Sequence, residues 1–185
     1  MSRRWSMIGE TERSAMERRF AVDLGADELV FQNAPAAVAE RPLRFDELYA
    51  AAVEPIGSLD ERLSHKLAGD AASRATFEAI LRDRALCWFP AAAAASGGDL
   101  DMREEDGFRI WIRPSSAGGD QVYVLIRLAE GRTGTPSALV ALPPQGPPAH
   151  ASLPEAIDGV YQLIERADSA LVRAIRDSAS KLALR

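Results

Sequence analysis

One stretch of the chain, residues 108–131, restricts the fold more than any other. Its sequence is FRIWIRPSSAGGDQVYVLIRLAEG, two runs in which apolar side chains recur at every second position, separated by a break rich in Pro, Ser and Gly. A period of two residues is that of a β-strand, and a short break between two such runs predicts an antiparallel hairpin. A hairpin with an apolar face needs a second layer to bury that face.

The length of the break predicts the register of this hairpin. If Pro114 to Asp120 forms a seven-residue loop, Arg113 and Gln121 close the hairpin, and the remaining pairs follow by counting outward. The expected pairs are Phe108 with Ile126, Ile110 with Val124, Ile112 with Val122, Trp111 with Tyr123, and Arg109 with Leu125.

The reverse face of the ribbon is the candidate binding surface. It carries Trp111, Tyr123 and Leu125, framed by Arg109, Arg113 and Arg127. Aromatic anchors with arginine at the rim are typical of protein interfaces. Two interpretations are open: the N-terminal helices of the same chain cover this face, which is favoured, or a protein partner does.

Further strands are expected at residues 137–142 and 148–153. The segment 154–178 has two interpretations. Its apolar spacing allows one helix, whereas Asp158 and Gly159 followed by Val and Tyr favour a turn, a strand through Ile164 and a helical turn at residues 171–175. The second interpretation, with a last strand at 181–184, is preferred because it closes the edges of the preceding strands.

The first half has the helical period. A capping box at Ser58 and Glu61 precedes leucines at every fourth position, and Gly69 followed by Asp70 predicts that one helix ends and the next begins there. The second arm of this helical hairpin is expected to run over residues 70–89. Shorter helices are expected at residues 45–54 and 11–20.

The composition changes at residues 91–107, where an Ala run leads into Gly and acidic residues. The expected fold class is therefore α+β: a helical region at 1–90, a flexible linker at 91–107, and an antiparallel β-sandwich-like domain at 108–185. No metal is expected in the linker, because Arg103 occupies a ligand position of the helix-loop-helix calcium pattern.

Charge and composition exclude several classes of protein. The net charge is −5, and residues 1–90 carry 12 basic and 15 acidic side chains, so neither half has the basic excess of a nucleic-acid module. No apolar run approaches the roughly 18 residues of a membrane span. One cysteine cannot form an internal disulfide, and the first residues lack a signal peptide's apolar run, so a cytoplasmic location is expected.

The candidate catalytic side chains are isolated in the sequence. His65 is expected on a solvent-facing helix position, His150 has no neighbouring nucleophile or carboxylate, and Cys87 lies among apolar residues. No catalytic residue, cofactor or metal is predicted. The alternative is an enzyme or small-ligand-binding protein with its site between the helical and β regions, using His150, Asp158 or the arginines.

The helical hairpin has the run L-x3-L-x3-L-x-G-D, from Leu59 to Asp70. Over about thirty residues it resembles the small helical domains of anti-sigma factors, although it lacks their zinc-binding His and Cys pattern. The resemblance implies a bacterial regulatory adaptor. The function expected from the sequence is a non-catalytic cytoplasmic module that binds a protein partner, with no nucleic acid or membrane involved.

Overall fold

The computed structural model describes residues 42–53, 60–92, 100–116, 119–129 and 134–185. The chain divides into two compact units, residues 1–47 and 48–185, and the second unit contains both sheets. The helices are α1 (Phe45–Val53), α2 (Glu61–Gly69), α3 (Ala71–Arg84) and α4 (Ala170–Arg176). The strands are β1 (Cys87–Phe89), β2 (Met102–Glu105), β3 (Phe108–Pro114), β4 (Gln121–Leu128), β5 (Ala138–Leu142), β6 (Ala149–Ser152), β7 (Val160–Arg166) and β8 (Lys181–Leu184).

The strands form two antiparallel sheets of four. Sheet I has the order β1-β8-β5-β6, and sheet II has the order β2-β3-β4-β7. Together with the preceding helices they confirm the predicted class, an α+β fold with helices followed by a β-sandwich-like region. Neither sheet closes on itself through the strands that the structure describes.

The core lies between the two sheets. Sheet II contributes the side chains that alternate inward, among them Ile110, Val124 and Ile126, which are fully buried. Sheet I contributes Leu139, Leu182 and others of the same type. The apolar side of α4 belongs to the same cluster through Leu171, Val172, Ala174 and Ile175. The apolar residues that alternate along β3 and β4 therefore form one face, and this face packs against sheet I.

The hairpin β3–β4 has the predicted faces but a register two residues away from the predicted one. Ile110 lies opposite Ile126 and Ile112 opposite Val124, rather than Val124 and Val122. The Ser115 N–H donates to the Gln121 carbonyl at 2.9 Å, so these two residues close the hairpin and Pro114 lies within β3. The remaining observed pairs are Phe108 with Leu128, Arg109 with Arg127, Trp111 with Leu125, Arg113 with Tyr123, and Pro114 with Val122.

Proline is tolerated in this strand because of the alternation of antiparallel hydrogen bonds. Ser115 and Gln121 form a hydrogen-bonded pair, so Pro114 and Val122 occupy the non-bonded position next to it, where no N–H is needed. The prediction that Pro114 is the first residue of the loop was wrong for this reason, since it is the last residue of β3.

The preferred interpretation of residues 154–178 is confirmed. Asp158 and Gly159 have φ of 51° and 74°, and they form a turn between Ile157 and Val160, which bridge each other. Strand β7 follows, then α4, then β8. Ser169 caps α4 by accepting from the Val172 N–H at 3.2 Å.

The helical region differs from the sequence-based prediction in two places. Asp60, rather than Ser58, caps α2, since its carboxylate accepts from the Leu63 N–H at 2.6 Å; Ser58 lies outside the described residues. The second arm does not continue to residue 89: α3 ends at Arg84, and residues 87–89 form a strand beside β8. Cys87 and Phe89 are buried in this strand. The apolar residues after α3 therefore pack as part of sheet I rather than as a further turn of the helix. Asp70 is the N-cap of α3, as predicted.

Part of the expected flexible linker is ordered. Met102–Glu105 forms β2, which pairs with β3, and the Leu100 N–H donates to the Arg176 carbonyl at 2.9 Å. Residues 102–105, which were predicted to belong to the linker, therefore form a strand whose backbone pairs with the edge of β3.

Ala51 of α1 and helix α3 contact the outer face of sheet I. On that face, Lys181 of β8 forms an ion pair of 2.5 Å with Glu78 of α3, and Arg185 donates to the Ala51 carbonyl at 3.2 Å. Arg74 donates to the carbonyls of Pro143 and Gly146, the latter at 2.7 Å. Ala183 and Val140 are buried on this side of the sheet, although neither belongs to the inter-sheet core. Among the described helices, none has the length and apolar character of a membrane span.

Candidate functional site

The six residues of the candidate binding surface lie on one face, the outer face of sheet II. Trp111, Tyr123 and Leu125 are half-buried there, while the arginines are exposed. Their side chains share this face because they alternate with the buried core positions of β3 and β4. The observed register brings Trp111 beside Leu125 and Arg113 beside Tyr123. The predicted direct pair of Trp111 with Tyr123 is wrong, although both remain on the surface.

The structure adds two residues that the sequence did not indicate. Met102 of β2 lies opposite Trp111, and Ile164 of β7 lies opposite Tyr123. Their exposed fractions are 55% and 60%, which is high for apolar side chains of this size. We call the set Met102, Trp111, Tyr123, Leu125 and Ile164 the outer patch. Met102 was assigned to a linker and Ile164 to an uncertain segment, so only strand pairing shows that they adjoin the ribbon.

The outer patch crosses all four strands of sheet II. Neighbouring strands lie about 4.8 Å apart, and two residues along a strand span about 7 Å. Met102 and Ile164 are three strands and one such step apart. The patch is therefore a diagonal apolar stripe with its ends about 16 Å apart, and it is flanked on both sides by arginines.

The flanking arginines differ in how they are engaged. Arg109 forms an ion pair of 2.7 Å with Glu104 of the neighbouring strand. In the described part of the chain, no hydrogen bond or ion pair engages the side chain of Arg113 or Arg127. These two lie on opposite sides of the stripe, since Arg127 pairs with Arg109 and Arg113 pairs with Tyr123. The surface therefore has two uncompensated positive charges in a chain of net charge −5.

At the end of the β2–β3 hairpin the surface has a cleft of about 320 Å³. Glu104, Arg109 and Arg127 line it, together with Gly107, Phe108, Leu128 and Ala129. The turn is tight, with Asp106 and Gly107 at φ of 50° and 82°, and the Ala129 N–H donates to the Gly107 carbonyl at 2.6 Å. The cleft extends the arginine side of the outer patch, and the Arg127 side chain lines it.

The side chains proposed for the alternative, catalytic interpretation are not brought together. His150 lies half-buried in β6 on the outer face of sheet I, where burial and then Arg185 lower its pKa. Asp158 is exposed in the turn before β7. Cys87 is buried, with its sulfur 3.4 Å from the Glu105 carbonyl, and His65 is exposed on α2. Within the described ranges, no three His, Cys, Asp or Glu side chains are placed to hold a metal ion.

The favoured sequence interpretation was that helices of the same chain cover the ribbon's reverse face. Of the helices that the structure describes, α1 contacts sheet I instead through Ala51, and α3 contacts it through Glu78 and contacts the loop after β5 through Arg74. The helix predicted at residues 11–20 lies outside the described residues.

No protein family, curated protein or solved structure matches this chain.

Proposed function

We propose that this protein is a non-catalytic interaction module, with a regulatory or adaptor role in the cytoplasm, that binds a protein partner on the outer patch. The observation that carries the proposal is the asymmetry of the two sheets. The outer face of sheet I is buried under helices, whereas the outer face of sheet II keeps Met102 and Ile164 more than half exposed. Apolar side chains at this density, rimmed by arginine, have the composition of an interface core.

The shape and the residue types of the outer patch favour a protein partner over a small ligand. An extended stripe across four strands offers a large flat apolar area, while small-molecule sites are concave and enclose most of their ligand. Trp111 and Tyr123 supply the rigid anchors that dominate protein binding energy, and Arg113 and Arg127 supply charge for orientation.

The test compares substitutions within and outside the patch. Tagged wild-type protein and the Ile164→Lys variant are used to recover partners from the native host, and recovered proteins are quantified by mass spectrometry. Val53→Lys is the matched control, since Val53 is also an exposed apolar residue but lies on α1. We expect a defined partner that Ile164→Lys loses by at least tenfold and Val53→Lys retains.

Both variants must remain folded for this comparison. Because Ile164 and Val53 are already exposed, we expect each change to alter the free energy of unfolding by less than about 0.5 kcal/mol. Partner recovery that is equal for the wild type and Ile164→Lys contradicts the proposal.

A further inference from the structure

We infer that the partner presents an acidic amphipathic helix, which lies along the diagonal stripe of the outer patch. This inference rests on the proposed function and specifies the chemistry of the partner. Three features of the surface carry it: the length of the stripe, the position of the two unengaged arginines, and the way the same chain covers its other sheet.

The length and shape of the stripe suit a short helix. About 16 Å corresponds to about 11 residues of α-helix, or three turns, at 1.5 Å per residue. The stripe runs diagonally across the strands rather than along them, so a segment lying on it does not follow the hydrogen-bonding edge of the sheet. In sheet I, the equivalent outer face is contacted by helices α1 and α3 of this chain, so a helix on the outer face of sheet II would complete the same layering.

The charge pattern specifies the flanks of that helix. Arg127 lies on one side of the stripe and Arg113 on the other, and neither has an ion-pair partner in the described residues. A helix whose apolar face is bordered on both sides by Glu or Asp would place a carboxylate near each guanidinium. Arg109 is already paired with Glu104, and Arg166 with Asp168, so these two add little further attraction.

The same pattern disfavours two other occupants. A second copy of this face would bring another Arg113 and Arg127 against the first pair, while Glu104 of the same face is already paired with Arg109. A nucleic acid needs several free cationic groups, whereas two of the four arginines here are already paired with carboxylates.

The test uses a display library of 14-residue peptides, all with helix-favouring backbones and an apolar stripe, with the positions flanking the stripe randomised. Peptides are selected on the full-length wild-type protein, and those that also bind Ile164→Lys are removed. We expect Glu and Asp to be enriched on both flanks of the selected peptides and Lys and Arg to be depleted. Selected peptides should bind at least tenfold more weakly when proline replaces a central residue.

Charge reversal tests the role of the two arginines. Selection on the Arg113→Glu/Arg127→Glu variant should favour basic flanks instead. The control is Arg62→Glu/Arg82→Glu, which changes net charge equally on exposed positions of α2 and α3 and should leave the acidic preference intact. Raising the salt concentration should weaken binding of the acidic peptides to the wild type.

Several outcomes overturn the inference. These are a library that yields no patch-dependent binders, flanks with no acidic preference, peptides that tolerate the central proline, tight binding of a single-stranded oligonucleotide that Arg113→Glu/Arg127→Glu abolishes, or a dimer in analytical ultracentrifugation that Ile164→Lys dissociates. If the partner recovered from the host is still lost with Ile164→Lys, the proposed function stands and only the acidic helix is wrong.

Discussion

Arg103 is a buried arginine that joins the two sheets. It extends from β2 and donates to the Ser180 carbonyl at 2.8 Å and to the Pro90 carbonyl at 2.6 Å. Burial lowers its pKa, while the nearby Asp177 and Glu105 act in the opposite direction. The planar guanidinium can reach both carbonyls at once, which a lysine ammonium cannot do in the same fixed geometry.

We therefore expect Arg103→Ala to lower the free energy of unfolding by about 3 kcal/mol, since it leaves the buried Ser180 carbonyl and the part-buried Pro90 carbonyl without their charged donor. Arg103→Lys should fall between this variant and the wild type. Urea unfolding measures both, with Arg113→Ala as the control on the same sheet. A change for Arg103→Ala as small as that of the control would mean that water replaces the guanidinium without loss.

His150 makes stability depend on pH. Burial and then Arg185 lower its pKa below that of the unfolded chain, so protonation favours the unfolded state. The neutral form is present in both states above about pH 6.5, and the fold loses stability as the pH falls below that value, until the folded state is also protonated.

We expect the melting temperature to fall less between about pH 7.5 and about pH 5.5 in His150→Gln than in the wild type. His65→Gln is the control, because it removes an imidazole from an exposed position on α2. Identical pH profiles for His150→Gln and the wild type would contradict the prediction.

At the scale of elements, the turn before β7 decides whether residues 160–166 form a strand. Gly159 has a φ of 74°, which is unfavourable for residues with a Cβ, and a Cβ added there would meet no atom within 4 Å. The loss of stability in Gly159→Ala should therefore come only from the unfavourable backbone conformation that alanine must adopt.

We expect Gly159→Ala to lower the free energy of unfolding by about 1 kcal/mol. Gly69→Ala is the matched control: Gly69 is the last residue of α2 and also has open space around a Cβ, so alanine should leave stability unchanged or raise it by up to about 1 kcal/mol. Calorimetry of the two variants checks the pair, and equal changes would show that the turn conformation does not control β7.

At the scale of the molecule, the helices and the sandwich share sheet I. The inner face of β8 packs in the core through Leu182 and Leu184, and its outer face meets the helices through Lys181. A sheet that is buried on both faces couples the layers on either side, so residues 48–185 should unfold in one transition.

Phe77 tests this coupling, because it is fully buried on α3 and is not part of the inter-sheet cluster. We expect Phe77→Ala to lower the free energy of unfolding by about 3–5 kcal/mol. Hydrogen exchange should show the same loss of protection in α3 and in β3 and β4. Loss confined to the helices would show that the sandwich unfolds separately.

Local periodicity was sufficient to assign most elements. The alternation in residues 108–128 determined which side chains are core and which are outer surface, because that choice depends only on a period of two. The Asp158–Gly159 turn and the Asp70 cap were predictable for a similar reason, since each depends on the backbone preferences of one or two residues. The six predicted surface residues consequently lie on one face.

Tertiary structure decided those features for which a local sequence pattern allows more than one arrangement. A register shift of two residues preserves both faces of a hairpin, so only the hydrogen-bonded closure at Ser115 distinguishes the observed register from the predicted one. Met102 and Ile164 join the outer patch only because β2 and β7 pair on either side of the ribbon. Which sheet the helices cover depends on contacts between residues far apart in sequence, such as Glu78 with Lys181, and no local pattern contains that information.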